Sequence, residues 1–295
     1  MSVELARSML ARGSKSFALA ARVLPPSCRD DVAVLYAYCR RADDLIDDAT
    51  PAEQPALIDG LSAELASVYA REPQTDPVLA EFQRVVLHYA IPEAYPRTLL
   101  DGFRSDVGVV RIGTVSELLL YAHRVAGVVG LMSCRVFGVD DARALEHANH
   151  LGIAMQLTNV CRDVAEDWGK ARVYLPSELL GSAAGAPLEP RSAARVELAL
   201  RRLLELADRY YASGDRGLPA LPFRVAIAVR AARLVYAAIG ARIAAQGYDV
   251  HAGRAVVPGF RKLLLVACAV VTELASRAVA PLRRKLAAAE VPGGR

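Results

Sequence analysis

Residues 156–167 read Gln156-Leu157-Thr158-Asn159-Val160-Cys161-Arg162-Asp163-Val164-Ala165-Glu166-Asp167 and follow the apolar run Leu151-Gly152-Ile153-Ala154-Met155. Asn159, Asp163 and Asp167 are four apart, so on a helix they form one stripe, with Gln156 on the adjoining ridge and Arg162 at its flank. The apolar run predicts burial. Carboxylates left unpaired there would be costly or would take up protons, so a cation is the simplest partner for them. A second acidic stretch, Asp43-Asp44-Leu45-Ile46-Asp47-Asp48, lies in another apolar helical segment. It puts Asp43 and Asp47 on one face and Asp44 and Asp48 on the next. Like charges at that spacing repel, and a hard, oxygen-loving cation such as Mg²⁺ relieves them when a substrate phosphate completes its shell. One acidic pair alone is more often a solvated patch. Two stripes far apart in sequence predict two facing helices with a cluster of two or three Mg²⁺ between them, gripping a diphosphate and making it a good leaving group.

Working outward, apolar residues recur at three and four positions rather than alternating, and Ala, Leu, Arg and Glu dominate. The expected fold class is therefore all-α, without a convincing strand. Helices are predicted at Arg29 to Ala49, Pro51 to Arg71, Pro77 to Tyr89, Pro92 to Val107, Val115 to Phe137, Asp140 to Trp168, Arg191 to Ser213, Pro222 to Gln246 and Pro258 to Ala289, most of them opened by proline. Pro25-Pro26, Glu72-Pro73, Gly169 and Gly181 to Pro190 are loops too short to be linkers, and the tail from Val291 is expected to fray. One domain over residues 1–295 is the expectation.

Hydrophobic residues make up 54% and charged residues 23% of the chain, which excludes disorder. Mean hydropathy is high at +0.24. The longest apolar run near the C-terminus, Leu263 to Val271, nevertheless falls far short of the roughly 20 residues of a membrane span. The excess apolar content predicts a large cavity or a face that meets a membrane or a greasy ligand. A net charge of +4 without a lysine-rich arm argues against nucleic acid. Five scattered cysteines without a CxxC pair argue against a disulfide framework or a zinc site and fit a reducing cytoplasm. The first thirteen residues lack the apolar core of an export signal.

Gly13-Ser14-Lys15-Ser16-Phe17, Leu35-Tyr36-Ala37-Tyr38-Cys39-Arg40-Arg41-Ala42-Asp43-Asp44, the stretch from Gln156 to Asp167, Arg172-Val173-Tyr174-Leu175-Pro176 and the region from Tyr236 to Lys262 together resemble the squalene/phytoene synthase family over nearly the whole chain. Within that family the likeness is greatest to the bacterial members that make phytoene. The resemblance implies a helical bundle of the isoprenoid (trans-prenyl) synthase type with a central cavity. It also implies head-to-head condensation of two geranylgeranyl diphosphates to 15-cis-phytoene, through a cyclopropyl diphosphate, in carotenoid biosynthesis. By motif, Asp43 and Asp47 would form one Mg²⁺ site and Asp163, Asp167 and Asn159 the other, with Mn²⁺ as a substitute. Ser14, Lys15, Ser16, Arg40, Arg162 and Arg254 would bind diphosphate, and either Arg254 or its neighbour Gly253 falls at the family's arginine position. Tyr236 and Gln156 would line the reacting centre, and His123 would stand where the family often has tyrosine. No NADPH is expected for a phytoene-forming member.

The chemistry agrees with these roles: ionising an allylic diphosphate needs cations on the leaving group and a dry pocket for the carbocation. Phe17, Tyr36, Tyr38, Tyr121 and Tyr236 are candidate aromatic faces for that cation. Ser14-Lys15-Ser16 reads equally well as a helix cap. The competing readings are a C30 member of the same family making presqualene diphosphate, squalene or dehydrosqualene from farnesyl diphosphate, a non-catalytic scaffold of the same fold, and an isoprenoid cyclase. The intact acids oppose the scaffold, and the Ser-Lys-Ser and Arg-Val-Tyr-Leu-Pro segments oppose the cyclase. The expected location is the cytoplasm, with salt-sensitive peripheral contact at the inner face of the cell membrane. That contact would run through the Leu/Val-rich C-terminal region flanked by Arg261, Lys262, Arg277, Arg283, Arg284 and Lys285.

Overall fold

The computed structural model describes residues 2–181 and 193–289, with side chains for 3–181 and 193–279. The N-terminal half holds α1 (Ser2–Gly13), α2 (Lys15–Ala21), α3 (Pro26–Asp47), α4 (Gln54–Tyr69), α5 (Pro77–His88) and α6 (Ala94–Arg104). Next come α7 (Val115–Ala122), a π-helical turn at His123–Gly127, α8 (Val128–Val136), α9 (Ala142–Arg162) and α10 (Val164–Gly169). The chain continues through α11 (Ser177–Leu180), α12 (Ala193–Gly217), α13 (Phe223–Ala245) and α14 (Gly259–Ala289). Proline stands in the first turn of α3, α4 and α5, where its missing N–H has no partner to lose. The expected loop beyond Gly181, the tail from Val291 and the side chains of Arg283, Arg284 and Lys285 lie outside the described residues.

The structure departs from the sequence reading in several places, among them the unexpected short helix α11 and the start of α3 at Pro26 rather than Arg29. Residues 2–21 are helical, although the reading begins its helices at Arg29. A short parallel pair exists, Val110↔Arg172 and Arg111↔Val173, here β1 and β2, because both segments are too short to show a period. The expected helix from Asp140 to Trp168 is interrupted at Asp163, whose φ of −103° and ψ of 12° leave the helical region. Backbone hydrogen bonds still run from Asp163 N to Asn159 O and from Asp167 N to Asp163 O, so the stripe bends without losing its ladder. The expected helix Val115 to Phe137 carries the π turn, pressed against α9: a Cβ on Gly152 would lie 2.4 Å from Ala126 O.

Val115–Val136 is also long and apolar enough to cross a membrane. In the fold it packs against α6 and α9, and it supplies Tyr121 and Val125 to the interior space described below. Two large buried apolar clusters form, with a small third one of Ile227, Ala231 and Ala269 where α13 meets α14. One large cluster gathers α1, α3 to α6 and α8, the other α7, α9, α12 and α13, and Phe17 packs against both. The space between the two large clusters is the site.

Candidate active site

At the junction of α1 and α2, Ser14 adopts extended backbone and its Oγ accepts a hydrogen bond from Phe17 N–H at 3.2 Å. The cap reading of Ser14 therefore holds. Gly13 is required by Tyr36, whose hydroxyl would lie 2.2 Å from a Cβ at that position. This junction sets Ser14, Lys15 and Ser16 on the rim of a polar cleft of about 500 Å³. Of the residues singled out in the sequence, Arg40, Asp43, Gln156, Asn159, Arg162, Tyr236 and Arg254 line the same cleft. Gly253 has φ +85°, a turn conformation suited to glycine, and the next residue, Arg254, lines the cleft.

The carboxylates are met by arginines. Arg40 bonds Asp43 at 3.1 Å and Asp44 at 2.5 Å. Asp44 and Asp48 face an outer depression beside Arg41, and of the α3 acids only Asp43 lines the cleft. Asp47 bonds Arg172 at 2.7 Å. Asp163 holds Arg162 through both oxygens (2.8 and 2.5 Å) and Arg254 likewise (2.8 and 3.2 Å). Burial would raise the Asp163 carboxyl, but these two arginines outweigh it and hold it below the usual range. Burial, then the Asp47 charge, pushes Asp43 up to about 6. Burial, then Asp163 and Glu166, pushes Asp167 up to about 7. Asp47, which is exposed, and Asp163 and Asp167 are not among the residues that line the cleft.

Among the described residues no three His, Cys, Asp or Glu side chains converge as a ready metal cage. One observation fits a cation here. Asn159 donates through Nδ2 to Gln156 Oε1 at 3.2 Å, while its buried Oδ1 has no hydrogen-bond partner. Such an oxygen is costly to leave unmet. A hard cation between it and the mutually repelling acids would satisfy both, so the residues present suit Mg²⁺.

The cleft opens into an apolar cavity of about 360 Å³, and the two share Phe17, Tyr36, Cys39, Val125, Gln156, Asn159 and Tyr236. Phe17 and Tyr236 pack at 5.3 Å between ring centroids at the join. Gly130, Gly152, Gly214 and Gly217 line the cavity, so space is made by omitting side chains where helices cross. His123 lines neither space. Its Nδ1–H donates to Asn149 Oδ1 at 2.7 Å, because the π turn rotates it toward α9. Tyr121, two residues earlier, faces the cleft instead.

Three charged residues were missed as site residues. Lys262 lines the cleft, and burial followed by the nearby Lys15 charge lowers its pKa. Arg172 bridges to Asp47, and its charge also reaches Asp43 and Asp167. Asp106, buried in the cleft wall, accepts from Tyr121 and Tyr174. Lys262 and Arg172 sat inside segments read for their family likeness, and Asp106 had no signal beyond being an acid after an apolar helix.

The squalene/phytoene synthase family model matches residues 10–261. A 15-cis-phytoene synthase of Paracoccus sp. (strain N81106 / MBIC 01143) is 38% identical over 252 residues, 83% of each chain. A phytoene synthase of Pseudescherichia vulneris is 41% identical over 257 residues, 82% of each chain. A crystal structure of a dehydrosqualene synthase in complex with ligand superposes with a TM-score of 0.85 at 29% identity, covering 93% of this chain and 97% of that one.

Proposed function

The chain belongs to the squalene/phytoene synthase family, and on that premise we propose that it is a phytoene synthase, a prenyltransferase that joins two geranylgeranyl diphosphates head to head. The observation that carries this reading is a cation-rimmed polar cleft opening into an apolar cavity through a neck of two aromatic rings. Lys15, Arg40, Arg162, Arg254 and Lys262 neutralise diphosphate as it leaves, and Arg162 and Arg254 can exchange Asp163 for diphosphate oxygens. The apolar walls take the prenyl chains and keep water from the carbocation, while the faces of Phe17 and Tyr236 sit where the reacting ends meet. Asp43, Asp47, Asn159, Asp163 and Asp167 would hold Mg²⁺, which supplies further neutralisation of the leaving diphosphate.

Purified protein given Mg²⁺ and either the C20 or the C15 diphosphate tests the assignment. Phytoene from the C20 substrate without NADPH is the expected product. Conversion of the C15 substrate alone would overturn it in favour of the C30 reading, which the dehydrosqualene synthase likeness keeps in view.

Peripheral contact with the cytoplasmic face of a membrane is part of this proposal. On α14, Phe260, Leu263, Leu264, Val271 and Leu274 are each more than half exposed, as is Val256 at the cleft rim. Arg261 and Arg277 bracket that face, and Glu273, the one acid between 259 and 279, is buried against Arg230. A basic, acid-free apolar face suits anionic lipid. Flotation with phosphatidylglycerol vesicles should carry the protein upward at low salt, and recovery only in the soluble fraction would reject the contact.

A further inference from the structure

Asp106 follows α6 in the turn that leads into β1, and Tyr174 follows β2, so the parallel pairing Val110↔Arg172 sets the register between the two residues. The Tyr174 hydroxyl donates to Asp106 Oδ1 at 2.6 Å and the Tyr121 hydroxyl donates to Oδ2 at 3.0 Å. The two rings stack with centroids 4.8 Å apart, and all three residues are at most 8% exposed. Asp106 and Tyr121 line the cleft, and Tyr174 backs them. The other charges felt at Asp106 are Arg172 and Asp43.

A carboxylate buried at the wall of a carbocation site is an expensive arrangement unless it has work there. Both of its oxygens are committed to phenol protons, and each bond strengthens the polarisation of the phenol that makes it. The Tyr121 proton therefore lies on the line to Asp106, the Tyr174 hydroxyl lies within hydrogen-bond reach of the Tyr121 oxygen, and Tyr121 lines the cleft. We propose that Asp106 is a positioning residue for the reaction: it fixes the Tyr121 hydroxyl with its proton turned away from the reacting carbons and the negative end of its dipole toward them. The inference rests on the prenyl-transfer reading of the same cleft. A fixed dipole of this sense favours the cationic transition state over the neutral bound substrate, and it denies the cation a freely rotating hydroxyl.

In Asp106→Asn the amide offers one acceptor and a donor in place of two acceptors, so one phenol loses its partner and Tyr121 is free to turn its proton into the cleft. The expected result is a loss on the order of 10-fold or more in kcat with KM within about threefold, since no diphosphate-binding cation is touched. Tyr121→Phe should lose at least as much, and the double variant should lose no more than Tyr121→Phe alone, because Asp106 acts through that hydroxyl. Wild-type kcat in folded Asp106→Asn would overturn the proposal, as would losses that multiply in the double variant. If Asp106→Asn does not fold, full kcat in Tyr121→Phe overturns it equally. Each variant is compared with wild type on whichever diphosphate wild type turns over. A wrong substrate assignment then appears in the wild-type product, and a wrong role for Asp106 appears in the ratio.

Discussion

Asp163 is gripped from two sides by Arg162 and Arg254, and the three charges explain one another without any metal. Asn159 Oδ1 does not share that comfort, nor do Asp43 and Asp167, which burial and like charges raise toward neutrality. The site is thus only partly satisfied by its own arginines, and the proposed function assigns the remainder to a cation. Turnover should accordingly vanish in excess EDTA and return with Mg²⁺ or Mn²⁺, and undiminished rates in EDTA would remove the metal from the scheme. Asp43→Ala and Asp163→Ala should each lose on the order of 10²-fold in kcat, measured against a thermal melt that confirms folding. Tyr236 is a different case, because it touches both spaces and packs on Phe17. Under the proposed prenyl transfer its ring would steer the second rearrangement more than the first ionisation. In single-turnover assays, Tyr236→Ala should slow hydrocarbon formation more than substrate loss, so that the cyclopropyl diphosphate accumulates. Equal slowing of both steps would end that assignment.

At the scale of elements, most of the long helices were legible from a sustained 3.6-residue period, whereas α1 and α2 were not. Proline marks starts only to within a few residues: α3 begins at Pro26, inside the expected loop, and α4 at Gln54 rather than Pro51. The stripe from Asn159 to Asp167 was legible as spacing, yet its bend at Asp163 was not, since nothing in Arg162-Asp163-Val164 breaks a helix locally. The π turn was equally hidden. It lies against α9, where Gly152 lets the Ala126 carbonyl approach, and Tyr121, on α7 just before it, meets the cleft while His123 does not. Most of the cationic residues that line the cleft could be read by motif, whereas Asp106, Arg172 and Tyr174 meet through a two-residue strand pairing that carries no periodic signal. The π turn supplies its own test. A methyl group at Gly152 would fall 2.4 Å from Ala126 O, a backbone atom that cannot swing aside. Gly152→Ala should therefore destabilise the fold by roughly 1–3 kcal/mol through overpacking, measured by urea titration. A variant as stable as wild type would mean that the two helices separate without cost.

For the whole molecule, the hydropathy excess finds two homes, an internal cavity and the outer face of α14, both of which the composition anticipated without saying where either would lie. The same partition leaves acids inside a mostly apolar body, and stability must then depend on pH in a definite direction. Burial raises Asp106 to about 6, an effect its two tyrosine bonds only partly offset, whereas an unfolded Asp titrates near ~3.9. Between those values the folded chain keeps a proton that the unfolded chain has lost, so stability falls as pH rises through the window and levels off above it. A shift of that size corresponds to roughly 3 kcal/mol across the window. Asp43 and Asp167 act in the same direction, while Asp163, held low by its arginines, acts in the opposite sense at lower pH. Urea midpoints measured without divalent ions at pH 4.5 and pH 6.5 should show wild type losing stability toward the higher pH. Asp106→Asn, which cannot ionise, should lose distinctly less, and the slope that remains in it belongs chiefly to Asp43 and Asp167. Adding Mg²⁺ with inorganic diphosphate should flatten that remaining slope, because a cation favours the charged form of both acids. An identical pH slope in wild type and Asp106→Asn would show that the Asp106 carboxyl titrates alike in the folded and unfolded chains.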